Sequence, residues 1–188
     1  MKKAPDKQKL QYCAFLRGIN VGGHSVIKME ELRKSFEELG FTNVKTVLAS
    51  GNVVFDSPQD DVASISRSIA GKLQEITGRE VLAIVRSADE LRELAARQPF
   101  KDVDQGTNVR CMVTLVTKNQ VPRGSSGKQI GGGLEILSVS DGIICSVVHY
   151  SPGVGTPELM SVIEKVYGKN VTTRTWDTIA KVLKAAGN

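Results

Sequence analysis

Histidine and cysteine are scarce in this 188-residue chain, two and three copies respectively, and that scarcity removes whole classes of chemistry. His24 and His149 stand far apart and no cysteine has a ligand spacing, so no metal centre is expected. Cys13, Cys111 and Cys145 are odd in number, widely separated and set in apolar, strand-like runs. Free buried thiols and a reducing, cytoplasmic setting are therefore expected. Long apolar runs are missing too. The basic stretch Met1 to Lys9 is followed by an apolar segment cut short by Arg17 and Gly18, which fits neither a signal peptide nor a membrane span.

A strong excess of one charge is also lacking. The formal net charge is +5, and Lys2, Lys3, Lys7 and Lys9 against Asp6 place three of those charges in the first nine residues. The remaining Lys and Arg residues are scattered over a nearly neutral body. A solvated surface and a frayed tail (residues 1–10) account for this better than a nucleic-acid footprint, which leaves weak nucleic-acid binding as a secondary reading.

What the chain does have is clear periodicity in its first half. Tyr12 to Leu16 is a compact apolar strand, and Met29, Leu32, Phe36 and Leu39 recur at helical spacing until Gly40 stops the helix. Val44 to Ala49 and Asn52 to Phe55 are β-prone runs joined by a tight turn at Ser50-Gly51. Ser57, as N-cap with Pro58 at the first helical position, opens a helix burying Val62, Ile65, Ile69, Leu73 and Ile76, closed by Gly78. Val81 to Val85 is the next strand. The order βαββαβ predicts an α+β fold whose first subdomain, residues 11–86, is ferredoxin-like, an antiparallel sheet with two helices on one face. The strands are apolar on both faces, so the open face must also be covered, by a second, smaller α+β subdomain over residues 87–188. That excludes an open RNA-reading sheet.

The second half is less regular. Ser87 and Glu90 form a capping box before a short helix, Asn108 to Thr117 alternates as a strand, and Asn119 to Gly133 reads as a loop. Leu134 to Ser140 and Ile143 to Tyr150 form a hairpin about Asp141-Gly142. A helix starts at Thr156 and runs to Gly168, and a last one begins near Thr173, burying Trp176, Ile179, Ala180 and Leu183.

The candidate site follows from the topology of the first half. Phe15-Leu-Arg-Gly-Ile-Asn-Val-Gly-Gly-His24 is a glycine-rich loop between a strand and a helix, a place where backbone N–H groups are offered to an anion. In the predicted order this loop, the turn at Ser50 to Asn52 and the turn Thr77 to Arg79 share one edge of the sheet. Arg17, Gly18, Asn20, Gly22, Gly23, His24, Ser50, Asn52 and Arg79 then converge as ligand-binding candidates. The alternative is that the glycines serve turn geometry and the polar groups cap loose ends. Catalytic residues are not marked, because a Ser50 nucleophile with His24 as base lacks an orienting acid. No cofactor is called for either. Gly124-Ser-Ser-Gly-Lys-Gln129 only superficially imitates a P-loop, being short and carrying Gln129 where a magnesium-binding hydroxyl belongs.

Phe15-Leu-Arg-Gly-Ile-Asn-Val-Gly-Gly23, followed by Met29-Glu-Glu-Leu-Arg33, Leu39-Gly-Phe41 and Ser50-Gly-Asn-Val-Val-Phe55, resembles the largely bacterial domain of unknown function 1697 family. The family's C-terminal Thr-x-Arg-Asn-Trp-Asn-Thr pattern is represented by Thr172-Thr-Arg-Thr-Trp-Asp-Thr178, departing at Thr175 and Asp177. The resemblance implies a ferredoxin-like first subdomain joined to a second α+β unit, and no established activity. Two main readings stay open. One is a cytoplasmic binding protein for a small anionic ligand bearing phosphate or a nucleotide, held by the glycine loop with Arg17, Asn20, Asn52 and Arg174. The other is a non-enzymatic interaction domain in which the same residues are structural.

Overall fold

The computed structural model describes residues 10–20, 27–104, 106–117, 128–130, 133–150 and 156–187. The chain forms two compact units, Met1–Leu91 with Val182–Asn188, and Arg92–Lys181. Both contain antiparallel sheet with helices.

The first unit holds β1 (Leu10–Leu16), α1 (Met29–Glu38), β2 (Thr42–Val47), β3 (Asn52–Ser57), α2 (Val62–Thr77) and β4 (Ala83–Ser87). The strands lie side by side in the order β2-β3-β1-β4, every pair antiparallel. Tyr12, Ala14, Leu16, Val53, Phe55 and Val85 share one face and pack with Leu32 and Phe36 of α1 and Ile65, Ile69 and Leu73 of α2. Phe55 is the centre of this core, with Phe36 edge-on at 5.3 Å and Phe41 at 4.5 Å between ring centroids. Each such side chain removed from water contributes about 1.5–3 kcal/mol, which fixes the strand register.

The opposite face is equally closed. Cys13, Phe15, Val54 and Ile84 are buried, and so is Arg86, which lies opposite Cys13 across the β1–β4 pair. Lys45 is in register with Val54 on this face and donates from Nζ to the carbonyl of Ala185 at 2.9 Å. That bond places the final turn of the C-terminal helix here and neutralises a carbonyl at its negative end.

The second unit contains most of α3 (Ala88–Ala96), then β5 (Val109–Val116), β6 (Lys128–Ile130), β7 (Leu134–Ser140), β8 (Ile143–His149), α4 (Thr156–Tyr167), β9 (Val171–Thr175) and the start of α5 (Trp176–Ala185). Its sheet runs β6-β7-β8-β5-β9. Leu159, Ile163 and Tyr167 of α4 pack on Met112, Val116, Ile144 and Val148. The Ser87–Glu90 capping box forms as the spacing requires, the Ser87 N–H donating to Glu90 Oε2 at 2.8 Å and the Glu90 N–H to Ser87 Oγ at 3.1 Å. Asp141 and Gly142 both take positive φ, 49° and 75°, as a tight two-residue hairpin demands.

Four local expectations are corrected. Helix α2 is capped by Asp61, whose Oδ1 accepts from the Ala63 N–H at 3.0 Å, because Ser57 is drawn into β3 by pairing with Leu10. The β2–β3 connection is a four-residue loop, 48–51, rather than a two-residue turn, with Leu48 and Gly51 both at positive φ. Residues 128–130 of the expected loop form β6, and residues 171–175, expected to lead into or begin a helix, form β9 along β5. On α5, Ile179 and Leu183 are buried as expected, whereas Ala180 is exposed and Val182 takes a core position. The tail at 1–9 and the P-loop-like 124–127 lie outside the described residues.

Candidate functional site

At one end of the first sheet, four segments are tied together by polar side chains. β1 ends by hydrogen bonding on both sides: the Leu16 N–H donates to Gly51 O at 2.8 Å and the Arg17 N–H to Leu82 O at 2.9 Å. The chain then turns through Gly18 and Asn20, at φ 70° and 59°. Asn20 is suited to that left-handed backbone, and its amide is fully committed. Oδ1 accepts from the Ile27 N–H at 2.8 Å, while Nδ2 donates to Ile27 O and to Ala49 O, both at 3.1 Å. One side chain thus pairs both backbone groups of Ile27 and reaches across to the β2–β3 loop.

Asn52 does for that loop what Asn20 does for the other. It is fully buried, and Nδ2 donates to Val47 O at 2.8 Å and to Ser50 Oγ at 3.1 Å. Gly51 beside it is buried at φ 78°, and a Cβ there would strike Cγ2 of Ile19. The glycine is required both for its backbone angle and for the close approach of the two loops.

The fourth segment follows α2, where Gly78 at φ 69° closes the helix and Arg79 turns back. Nη2 of Arg79 donates to Gly18 O at 2.9 Å. Its Nε is buried and has no hydrogen-bond partner among the described residues. A guanidinium therefore sits against the glycine loop with one N–H satisfied by protein and another unsatisfied.

Of the sequence candidates, Gly18, Asn20, Ser50, Asn52 and Arg79 are brought together, with half-buried Arg17 between Leu16 and Gly18. Gly22, Gly23 and His24 lie outside the described residues. Arg174 belongs to the second unit, on β9. There Nη1 donates to Thr172 Oγ1 at 2.8 Å and Thr173 O at 2.9 Å, and burial holds its pKa down to about 10. Thr175, at a position departing from the family pattern, accepts from the Thr178 N–H at 3.3 Å and caps α5. Threonine and asparagine both serve as N-caps, so the departure keeps a capping group.

Sequence reasoning passed over Arg86. This side chain is 1% exposed, donates from Nη1 to Val85 O at 3.1 Å, and has its pKa lowered by burial against the opposing pull of the Glu90 carboxylate. The signal was available in strand parity. Arg86 alternates with Val85 and falls on the face of Ile84, which the two-sided apolar pattern had already marked as buried. Among the described residues no group of three His, Cys, Asp or Glu side chains is placed to hold a metal, and no helix is long and apolar enough to cross a membrane.

Residues 10–130, including the whole of this cluster, match the model of a family described as protein of unknown function, DUF1697. The chain belongs to that family. Among solved structures, this DUF1697 chain is similar to the conserved bacterial protein SP0830 from Streptococcus pneumoniae, with a TM-score of 0.66 and 19% identity over 94% of this chain and 98% of that one. At this identity the likeness speaks to the fold. No functionally curated protein matches the chain.

Proposed function

We propose that this DUF1697 chain is a cytoplasmic binding protein for a small anionic ligand, a phosphate-bearing molecule, seated where the glycine loop meets the turn after α2. The observation that carries the reading is the buried, unpartnered Nε–H of Arg79 beside Gly18. An unsatisfied buried donor costs about 1–3 kcal/mol, more when charged, and an oxyanion accepting from it would recover that energy through a charge-assisted bond. Arg17, adjacent to Gly18, supplies a second cation. In this reading Asn20 and Asn52 are positioning residues that hold the two loops rigid, so that little ordering entropy opposes binding. We also read the strand order β2-β3-β1-β4 with helices on one face as the ferredoxin-like arrangement over residues 11–86, with 87–188 as the second subdomain.

A second reading has its own support. The amides of Asn20 and Asn52 are turned onto backbone groups of their own loops, as expected of a structural clasp in a non-enzymatic interaction domain.

Thermal unfolding with increasing inorganic phosphate separates the two, since a ligand that binds only the native state raises the melting temperature with its concentration. The anion reading expects a rise in the wild type that added salt weakens and that Arg79→Gln removes while the variant still folds. A wild-type melting temperature indifferent to phosphate, with Asn20→Gly destabilising, would instead support the clasp.

A further inference from the structure

Two of the three cysteines lie together in the second unit, away from the Arg79 cluster and independent of the reading given to it. Cys111 on β5 is in register with Val147, and Cys145 on β8 is in register with Val113. Side chains two apart on a strand share a face, so Cys111 and Cys145 are diagonal neighbours on one face of adjacent antiparallel strands. Both are free thiols, Cys145 buried and Cys111 half-buried, which leaves a route in from the Cys111 side. The groups acting on them are Ser138, whose side chain hydrogen-bonds Cys145, Arg97, whose charge favours the Cys145 thiolate, and Asp177, whose charge opposes ionisation of Cys111.

The diagonal spacing decides what such a pair can do. A disulfide needs Cβ atoms about 3.5–4.5 Å apart, whereas diagonal partners in a sheet stand somewhat under about 7–8 Å. A single metal ion between two sulfurs, each bond about 2.3 Å long, spans the longer gap. The donor count narrows the ion, because among the described residues no third His, Cys, Asp or Glu joins the pair. Zinc in a structural site takes four ligands, while thiolates select soft ions such as Cu(I).

We propose that Cys111 and Cys145 form a two-thiol clamp for one soft monovalent cation of the Cu(I) class. Binding releases both thiol protons and leaves a sulfur–metal–sulfur bridge of net charge −1, with the Arg97 guanidinium as the nearby countercharge. No electron is transferred, and the ion is supplied already reduced.

The test is an anaerobic competition titration of the reduced full chain with Cu(I) held by a chromophoric chelator. The wild type is expected to withdraw one equivalent. Cys111→Ser and Cys145→Ala should each lose it, and Cys13→Ser, which alters the first unit, should keep it. Circular dichroism of each variant confirms that it is folded. Should Cys145→Ala fail to fold, the exposed-side variant Cys111→Ser decides alone. Withdrawal of no copper by the wild type, or an undiminished equivalent in folded Cys111→Ser, would overturn the clamp.

Discussion

Replacing Asn20 isolates the contribution of the clasp. Its two bonds to Ile27 are partly buried and worth about 1 kcal/mol each, and the exposed bond to Ala49 adds less, so losing all three should cost about 2–3 kcal/mol. Backbone conformation contributes separately. Asn20 sits at φ 59°, which glycine adopts freely and alanine only at a cost of about 1 kcal/mol or more. Asn20→Gly should therefore lose the bonds alone, and Asn20→Ala should be about 1 kcal/mol worse. Asn20→Asp keeps an acceptor for the Ile27 N–H but neither donation, and should fall between wild type and glycine. Urea-induced unfolding followed by circular dichroism measures all three. Glycine and alanine variants of equal stability would refute the backbone argument, and both within about 0.5 kcal/mol of wild type would refute the clasp.

Gly51→Ala should destabilise by about 2–4 kcal/mol in the same assay, because it combines a disfavoured positive φ with a Cβ driven into Ile19. Ser146 is buried on the α4 face of the second sheet and its Oγ has no partner among the described residues, so Ser146→Ala should leave stability unchanged or raise it; a loss above about 1 kcal/mol would reveal a partner. Alkylation with iodoacetamide followed by mass spectrometry should reach half-buried Cys111 before Cys13 or Cys145. Burial raises the pKa of both Cys111 and Cys145, so the reactive thiolate is rarer at neutral pH than in a free thiol, and both rates should keep rising above pH 9; faster labelling of Cys145 than of Cys111 would contradict the burial order.

The first half of the chain was legible because its signals agree at every level. The faces of α1 and α2, the stops at Gly40 and Gly78 and the capping box at Ser87 each have one physical solution, and the structure adopts it. Reading failed where two local signals compete. Ser57-Pro58 is a sound helix start, yet pairing with Leu10 holds Ser57 in a strand and hands the cap to Asp61. Thr172 to Thr175 is β-branched but abuts a helix, and only the neighbouring β5 makes it a strand. The convergence of Gly18, Asn20, Ser50, Asn52 and Arg79 followed from strand order. The jobs of the two asparagines did not, since an amide can face a ligand or a backbone with the same sequence around it.

The most direct measurement is the side-chain Nε–H resonance of Arg79 in a nitrogen-edited proton spectrum, assigned by its disappearance in Arg79→Lys, as inorganic phosphate is added. If the buried Nε–H next to Gly18 is the anchor of an anion site, this resonance shifts saturably and more strongly than those of the other arginines. If it stays fixed while the protein remains folded, Arg79 is a structural tie to the glycine loop and the anion reading is wrong.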